Sequence, residues 1–155
     1  MTATKKRNKP YRAKSLGENI KLKMQPWKVN AVFGPLLAII DQLEQDGTID
    51  TTARGQAVYC DRSDGVWYDS SIAIMGVVEA YEIHERRTGC VLTLDPLRQL
   101  ANKLKYAAPV FPADTLAVRE CLSRMRTETI EMTAGYARDL IKDFQIMEEL
   151  QKVVT

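Results

Sequence analysis

One histidine and three cysteines are the side chains of this sequence best suited to catalysis or metal binding: His84, Cys60, Cys90 and Cys121. Thiols and imidazoles are zinc ligands, and a thiol beside an imidazole base is the pair that a cysteine nucleophile requires. The cysteines are 30 and 31 residues apart, whereas structural zinc sites draw their ligands in close pairs, which only His84 and Cys90 approach. We therefore predict three buried, reduced thiols and a surface histidine, with no catalytic residue, no metal ligand and no cofactor.

Three glutamates form the other candidate site, because Glu79, Glu82 and Glu85 recur every three residues along one predicted helix. A di-iron bundle needs Glu-x-x-His on two helices, and that spacing does not occur here. We predict a solvated carboxylate ridge, with Arg86 four residues after Glu82 and within its reach. The sequence also lacks GxSxG, GxxxxGK[ST] and GxGxxG, the easily read hydrolase, P-loop and dinucleotide signatures. The chain is therefore not predicted to be an enzyme.

Helical periodicity predicts the elements that position these residues. Apolar residues recur at helical spacing from Pro35 to a stop at Gly47. They recur again from a cap at Asp69 or Ser70 to a stop at Gly89, and this helix carries His84. The second helix is apolar around most of its first three turns, which predicts a central place in the core.

Prolines mark helix boundaries in the C-terminal half of the sequence. The pair 95–96 (Asp-Pro) gives the cap-then-proline start of a helix, and the prolines of 109–112 bracket a break. A final apolar stripe follows a cap at Asp114 or Thr115 and runs nearly to the C-terminus, with Gly135 as the point where it kinks or splits.

The region between the first two strong helices has weaker signals. A short helix is predicted over 51–60, although Gly55 weakens it, and a turn follows over 61–65. The stretch 90–94 is the one β-like run. The sequence thus predicts an all-α fold, a helical bundle of four to six helices with a basic, partly flexible N-terminal arm.

Length and composition are those of one globular domain. The chain has 155 residues, 45% of them hydrophobic and 27% charged, which is unlike a disordered, collagen-like or coiled-coil sequence. No apolar run approaches the ~18 residues that a membrane-spanning helix needs, and no apolar segment follows the basic start as it does in a signal peptide. We expect a cytoplasmic protein without membrane contact.

The net charge of +2 conceals a strong asymmetry, since residues 1–28 carry nine cations against one anion and residues 29–155 carry a net −6. We predict a basic N-terminal arm over 1–28 and a single helical domain over 29–155. Such an arm binds a polyanion or an acidic protein surface, folds onto the acidic body, or acts only as a solubilising tail. Trp27 is expected to plug the edge of the core rather than to stack on bases. The residues predicted to contact a partner or nucleic acid are Lys5, Lys6, Arg7, Lys9, Tyr11, Arg12, Lys14, Lys21 and Lys23.

Three stretches resemble a group of small uncharacterised proteins encoded by bacteriophages and prophages: 5–14 (KKRNKPYRAK), 78–89 (VEAYEIHERRTG) and 94–100 (LDPLRQL). The resemblance is one of layout and composition, and the prolines of 109–112 and the long final helix depart from it. It implies an accessory protein of a mobile element in a bacterial host, and it transfers no catalytic residues.

These features predict a non-enzymatic protein that binds a host protein or macromolecular complex and inhibits or redirects it. A host-defence system such as CRISPR–Cas is a special case that no residue selects. One alternative is nucleic-acid binding through the basic arm, and a second is an enzyme that uses Cys60 or Cys90 with His84. The apolar stripe of the last helix also makes a homodimer an expectation.

Overall fold

A computed structural model describes residues 18–60 and 65–154, and within these ranges the chain forms five α-helices and one pair of strands. In chain order the elements are a 3₁₀ turn (Leu22–Met24), α1 (Pro26–Asp46), β1 (Val58–Cys60), β2 (Trp67–Asp69), α2 (Ser70–Thr88), α3 (Asp95–Lys105), α4 (Pro112–Thr129) and α5 (Ala134–Val154). The all-α prediction is confirmed, and the helix number lies within the predicted range. Over these residues no helix combines the length and the apolar character needed to cross a membrane.

Three helix termini fall where the sequence predicts them. Gly47 and Gly89 end α1 and α2 with φ of 71°, and each glycine N–H donates to the carbonyl four residues earlier. This left-handed conformation is the reason that glycine suits both positions. Asp69 caps α2 by accepting a hydrogen bond from the backbone N–H of Ile72 (2.8 Å). The start of α3 lies within one residue of its prediction, but Leu94 holds the cap position and Asp95 is the first helical residue.

The hydrophobic core lies where α1, α2, α3 and α4 pack together, with α2 also packed against α5. As predicted, α2 is central, because Ile74 and Val78 are fully buried. One residue departs from that prediction: Ile72, in the first turn of α2, is exposed. The largest fully buried side chains come from four helices and the link before α3: Val29, Phe33, Ile39, Ile40, Ile74, Val78, Leu94, Leu97, Leu100, Val118, Cys121 and Met125.

The first helix begins at Pro26, so the prediction that Pro35 opens it is wrong. Pro35 lies inside α1, where a proline costs about 3 kcal/mol because it removes a backbone hydrogen bond. Val29 and Phe33 precede the proline at helical spacing from Leu36, and all three side chains are buried. Burial of each such side chain contributes about 1.5–3 kcal/mol, which offsets the cost of the proline.

The segment 51–60 is not the predicted helix. Thr51 forms a β-bridge with Ala57, and Gly55 between them has φ of 82°, a conformation that a helix does not contain. Val58 and Tyr59 are residue types that favour strands. The register of β1 with β2 is antiparallel: Val58 with Asp69, Tyr59 with Tyr68 and Cys60 with Trp67.

Two further predictions concern the connecting segments. Of the predicted turn over 61–65, residues 61–64 lie outside the described residues, and Gly65 has φ of 69°. The predicted β-like run over 90–94 is wrong, because these residues link α2 to α3 without strand pairing. Thr93 there has φ of 55°, which no strand residue adopts.

The predicted break over 109–112 is confirmed, but α4 begins at Pro112, earlier than either predicted cap. Asp114 still provides a hydrogen-bond partner for a backbone amide at the start of α4, since its Oδ2 accepts a hydrogen bond from the Phe111 N–H (2.8 Å). The same oxygen accepts from Nζ of Lys103 (2.5 Å), which ties α3 to α4. The carboxylate therefore acts from the first turn of the helix rather than from the cap position.

Residues 18–24, here called the strap, run across the link between α4 and α5 (residues 130–133). Four backbone hydrogen bonds join the strap to this link and to the first turn of α5: Leu22 N–H to Met132 O (2.8 Å), Lys23 N–H to Ile130 O (3.0 Å), Ala134 N–H to Ile20 O (2.9 Å) and Gly135 N–H to Glu18 O (2.9 Å). They supply partners for backbone groups that the end of α4 and the start of α5 leave open. The helix thus splits just before Gly135, as predicted, and Gly135 allows the close approach of Glu18 because a Cβ there would meet the Glu18 carbonyl oxygen at 3.0 Å.

Replacing Gly135 with alanine is expected to destabilise the fold by about 1–3 kcal/mol, because the new methyl group overpacks the strap. The Cβ would also lie 3.3 Å from Cβ of Glu18. Urea unfolding measures the change. The control is Gly76→Ala inside α2, where the Cβ meets only Cζ of Phe144 at an ordinary 3.7 Å, and where the better helix former adds about 0.5–1 kcal/mol. Equal effects of the two substitutions would contradict the strap contact.

Replacing Asp114 with asparagine is expected to lower the free energy of unfolding by about 1 kcal/mol at pH 7. The hydrogen bonds from Lys103 and from the Phe111 amide hold the pKa of Asp114 below its ordinary 3.8, so the folded state favours the carboxylate. That stability is present above the unfolded-state pKa and is lost as the pH falls through the folded-state value. Urea unfolding from neutral pH to about pH 2 should show the difference vanish, whereas Asp139→Asn, the same change at an exposed position of α5, should have no effect at any pH.

Candidate functional site

Most of the residues predicted to contact a partner lie outside the described residues: Lys5, Lys6, Arg7, Lys9, Tyr11, Arg12 and Lys14. The other two, Lys21 and Lys23, lie in the strap and face Glu131, with Nζ–Oε distances of 2.7 and 3.8 Å. The hydrogen bond from Lys21 and the charges of both lysines lower the pKa of Glu131. These side chains are about half exposed, so the pairs are surface ion pairs of small energy. The two lysines are thus already partly neutralised by the body of the protein.

An apolar surface lies beside these lysines. Ile20, Met24 and Trp27, here called the N-terminal patch, are 43%, 67% and 63% exposed. They line an open cavity of about 610 Å³ together with Lys21, Lys23 and Gln25. The prediction that Trp27 plugs the edge of the core is therefore wrong. Trp27 lies on the solvent side of the first turn of α1, while Val29 and Phe33 fill the core.

The last helix exposes a second apolar surface. Ile141, Ile146, Met147 and Leu150 of α5 are each at least 42% exposed. This agrees with the apolar stripe that the sequence shows there. Self-association through α5 stays a prediction, because a single chain does not test it.

His84 is buried, so the prediction of a surface histidine is wrong. It lies in the last turns of α2, where Glu128 of α4 and Tyr136 of α5 contact it, and the residue is only 3% exposed. The prediction of three buried thiols is also corrected: Cys121 is buried, Cys90 is half-buried and Cys60 is exposed on β1. The four residues therefore do not converge on one site.

Instead, side chains from three helices meet at His84. Its Nδ1 lies 2.6 Å from Oη of Tyr136 on α5, and its Nε2 lies 3.0 Å from Oε1 of Glu128 on α4. The two rings pack edge to face with centroids 5.5 Å apart. On the other side of this contact, the Arg87 guanidinium lies 5.7 Å from the centre of the Tyr136 ring and pairs with Asp143. Both imidazole nitrogens therefore have partners, as a buried histidine requires.

Cys90 joins this group because α2 ends at Thr88, two residues earlier. The left-handed Gly89 reverses the chain, and the hydroxyl of Thr88 accepts a hydrogen bond from the Cys90 N–H (3.2 Å). The Cys90 sulfur, an imidazole nitrogen of His84 and a carboxylate oxygen of Glu128 then lie within 4.8 Å of one another. We call His84, Cys90, Glu128 and Tyr136 the His84 cluster.

The electrostatics of Cys90 oppose nucleophilic catalysis. Partial burial raises the pKa of its thiol, and the charges of Glu128 and Glu85 and a hydrogen bond with Glu128 raise it further. A cysteine nucleophile needs the opposite, a pKa lowered by a neighbouring positive charge or base. The carboxylate at this position therefore keeps the thiol protonated, and the arrangement is that of a hydrogen-bonded group of potential ligands.

The glutamate ridge is not the solvated surface that the sequence predicts. Glu82 pairs with Arg98 of α3, whose Nη2 donates to Oε1 at 2.8 Å, rather than with Arg86. Glu85 accepts a hydrogen bond from the backbone N–H of Leu92 (2.9 Å). These two carboxylates fix α3 and its preceding link on α2.

Sequence reasoning identifies His84 and Cys90 as a close pair but misses Glu128 and Tyr136. These residues are 44 and 52 positions from His84, and no local pattern connects them. Comparisons with protein-family models, with curated proteins and with solved structures find no match for this chain. The resemblance to phage and prophage proteins therefore stays a prediction, and function has to be argued from the surfaces and the cluster described above.

Replacing Tyr136 with phenylalanine is expected to lower the free energy of unfolding by about 1–3 kcal/mol, because the buried Nδ1 of His84 loses its partner while the ring packing is kept. Urea unfolding at neutral pH measures it. The control is Tyr106→Phe, since Tyr106 is 72% exposed after α3 and its loss of a hydroxyl should be neutral. A neutral result at Tyr136 would contradict the hydrogen bond to His84.

Proposed function

We propose that this chain is a non-enzymatic binding protein that docks on a protein partner through the N-terminal patch and the cations around it. The supporting observation is the exposure of Trp27 and Met24 side by side with Ile20 at the end of a strongly basic segment. Tryptophan and methionine are enriched in the buried centres of protein interfaces and depleted on other surfaces. The patch therefore has the composition of an interface centre.

The charges around the patch favour an acidic partner surface. Lys21 and Lys23 line the same cavity as Trp27, and Lys28 follows Trp27 in the chain. Residues 1–17 add six cations and no anion directly before the strap. A polar, charged rim around an apolar centre sets the rate of encounter and the orientation of the partner.

The apolar patch favours a protein over a nucleic acid as the partner. A nucleic-acid surface is dominated by phosphates and bases, for which isoleucine and methionine offer neither charge nor stacking. Binding of nucleic acid through the basic segment alone is the alternative, and its signature is an affinity that falls steeply with salt. The resemblance to phage and prophage proteins extends our proposal to a host complex that the chain inhibits or redirects.

The test is affinity capture from a bacterial host lysate with tagged full-length chain and a Met24→Ala, Trp27→Ala double variant. Because central aromatic contacts contribute about 2 kcal/mol or more, the double variant should recover a specific protein at least about 30-fold less well. Leu116→Ala is the matched control, since Leu116 is an equally exposed apolar residue on α4 and its substitution should leave capture unchanged. Capture should survive nuclease treatment of the lysate.

Three results would contradict the proposal. Undiminished capture by the double variant would remove the patch as the contact. Loss of all binding after nuclease treatment, together with loss on deletion of residues 1–14, would favour the nucleic-acid alternative. Absence of any enriched partner at low salt would reject both.

A further inference from the structure

Three potential metal ligands converge at the end of α2. The Nε2 of His84 and the Oε1 of Glu128 are 3.0 Å apart. One imidazole nitrogen of His84, one carboxylate oxygen of Glu128 and the Cys90 sulfur all lie within 4.8 Å of one another. Zinc binds nitrogen and oxygen at about 2.0–2.2 Å and sulfur at about 2.3 Å, so the ligand atoms of a tetrahedral site are roughly 3.3–3.7 Å apart. Shifts of about 1 Å or less would bring the three donors to these distances. We propose that His84, Cys90 and Glu128 form a binding site for a zinc ion.

The chemistry of the donors selects zinc over harder cations. Magnesium and calcium prefer oxygen ligands throughout, whereas this group offers an imidazole, a thiol and a single carboxylate. A zinc ion that has three protein ligands keeps its fourth position for a water molecule. Glu85 does not complete the set, because its carboxylate accepts a hydrogen bond from the Leu92 amide.

Tyr136 provides an independent observation that points to a ligand. Histidines that bind zinc through one nitrogen donate the other N–H to an oxygen, which fixes the ring orientation. The Tyr136 hydroxyl lies 2.6 Å from Nδ1 of His84, which leaves Nε2 to face Glu128, the second proposed ligand. The Tyr136 ring is itself held by Arg87, whose guanidinium pairs with Asp143.

The burial and charge of the site suit an ion that enters from one side. His84 is almost fully buried, whereas Cys90 is half-buried and the side chain of Glu128 is 37% exposed. Solvent therefore reaches the group past Cys90 and Glu128. On binding, the Cys90 thiol proton leaves to solvent, and the resulting thiolate with the Glu128 carboxylate balances the two charges of the metal.

The local fold explains how the ligands are brought together. His84 and Cys90 are six residues apart on either side of the α2 terminus, and the left-handed Gly89 turns the second toward the first. Glu128 comes from the last turn of α4. The site thus joins the end of α2 to the end of α4, which predicts that metal binding stabilises the fold.

Cobalt(II) is the probe, because it replaces zinc and reports a thiolate ligand by its charge-transfer absorption. The full-length chain, stripped with a chelator and kept reduced, should bind one cobalt ion with a thiolate band and the visible bands of tetrahedral geometry. Zinc added afterwards should abolish these bands and raise the midpoint of thermal unfolding. Tyr136→Phe should weaken cobalt affinity by about 10- to 100-fold, since the tyrosine orients the ligating histidine.

Cysteine variants decide which thiol binds. Cys90→Ser should remove the thiolate band and the thermal stabilisation by zinc, while Cys60→Ser, at the exposed cysteine of β1, should keep both. Glu128→Gln should weaken cobalt binding, and Glu120→Gln, the same change on α4 outside the cluster, should not. A wild-type chain without a thiolate band, a band that survives Cys90→Ser, or a band lost in Cys60→Ser would overturn the proposal. None of these outcomes depends on partner binding through the N-terminal patch.

Discussion

The described structure depends most on four backbone hydrogen bonds of the strap. Two of them join it to the link of residues 130–133, and two join it to the first turn of α5. Helix ends leave amides and carbonyls without partners, and here the strap supplies them for the end of α4 and the start of α5. The chain can therefore break between these helices, so that Glu128 before the break and Tyr136 after it both contact His84. The same strap displays Ile20 and Met24 on its outer side.

The interior of this protein has an apolar and a polar part. Apolar side chains fill the space among α1, α2, α3 and α4, whereas hydrogen-bonded side chains join α2 to α4 and α5. Besides the His84 cluster, the hydroxyl of Tyr81 bonds that of Thr129, and burial raises the pKa of Tyr81 to about 12. Such hydrogen bonds carry a desolvation penalty. They also favour one register of α4 and α5 along α2, because in any other register these buried polar groups would lose their partners.

The charge of the chain is distributed so that opposite signs meet at the strap. The body carries the net negative charge, and Glu131 in the α4–α5 link already pairs with Lys21 and Lys23. Partner contact by these two lysines therefore competes with an internal ion pair that is weak and sensitive to salt. The uncharged side chains of the N-terminal patch have no such competitor, which is why they carry the proposed interface and the lysines serve as its rim.

Local signals in the sequence determined where several helices begin or end. Asp69, Gly47 and Gly89 act through backbone groups within four residues, so α2 and the end of α1 are predictable without a structure. The start of α1 could not be predicted in this way, because burial of Val29 and Phe33 against distant helices outweighs the local signal of Pro35. The strand β1 within 51–60 likewise depends on pairing with β2.

The functional residues divide in the same way. The pair of His84 and Cys90 is visible in the sequence because six residues separate them, and so is the basic character of the N-terminal segment. The burial of His84, the contact of Glu128 with it and the exposure of Trp27 were decided by tertiary structure. The physical reason is that burial and long-range side-chain contacts depend on which helices pack together. Residues 44 positions apart, such as His84 and Glu128, carry no local pattern that records their contact.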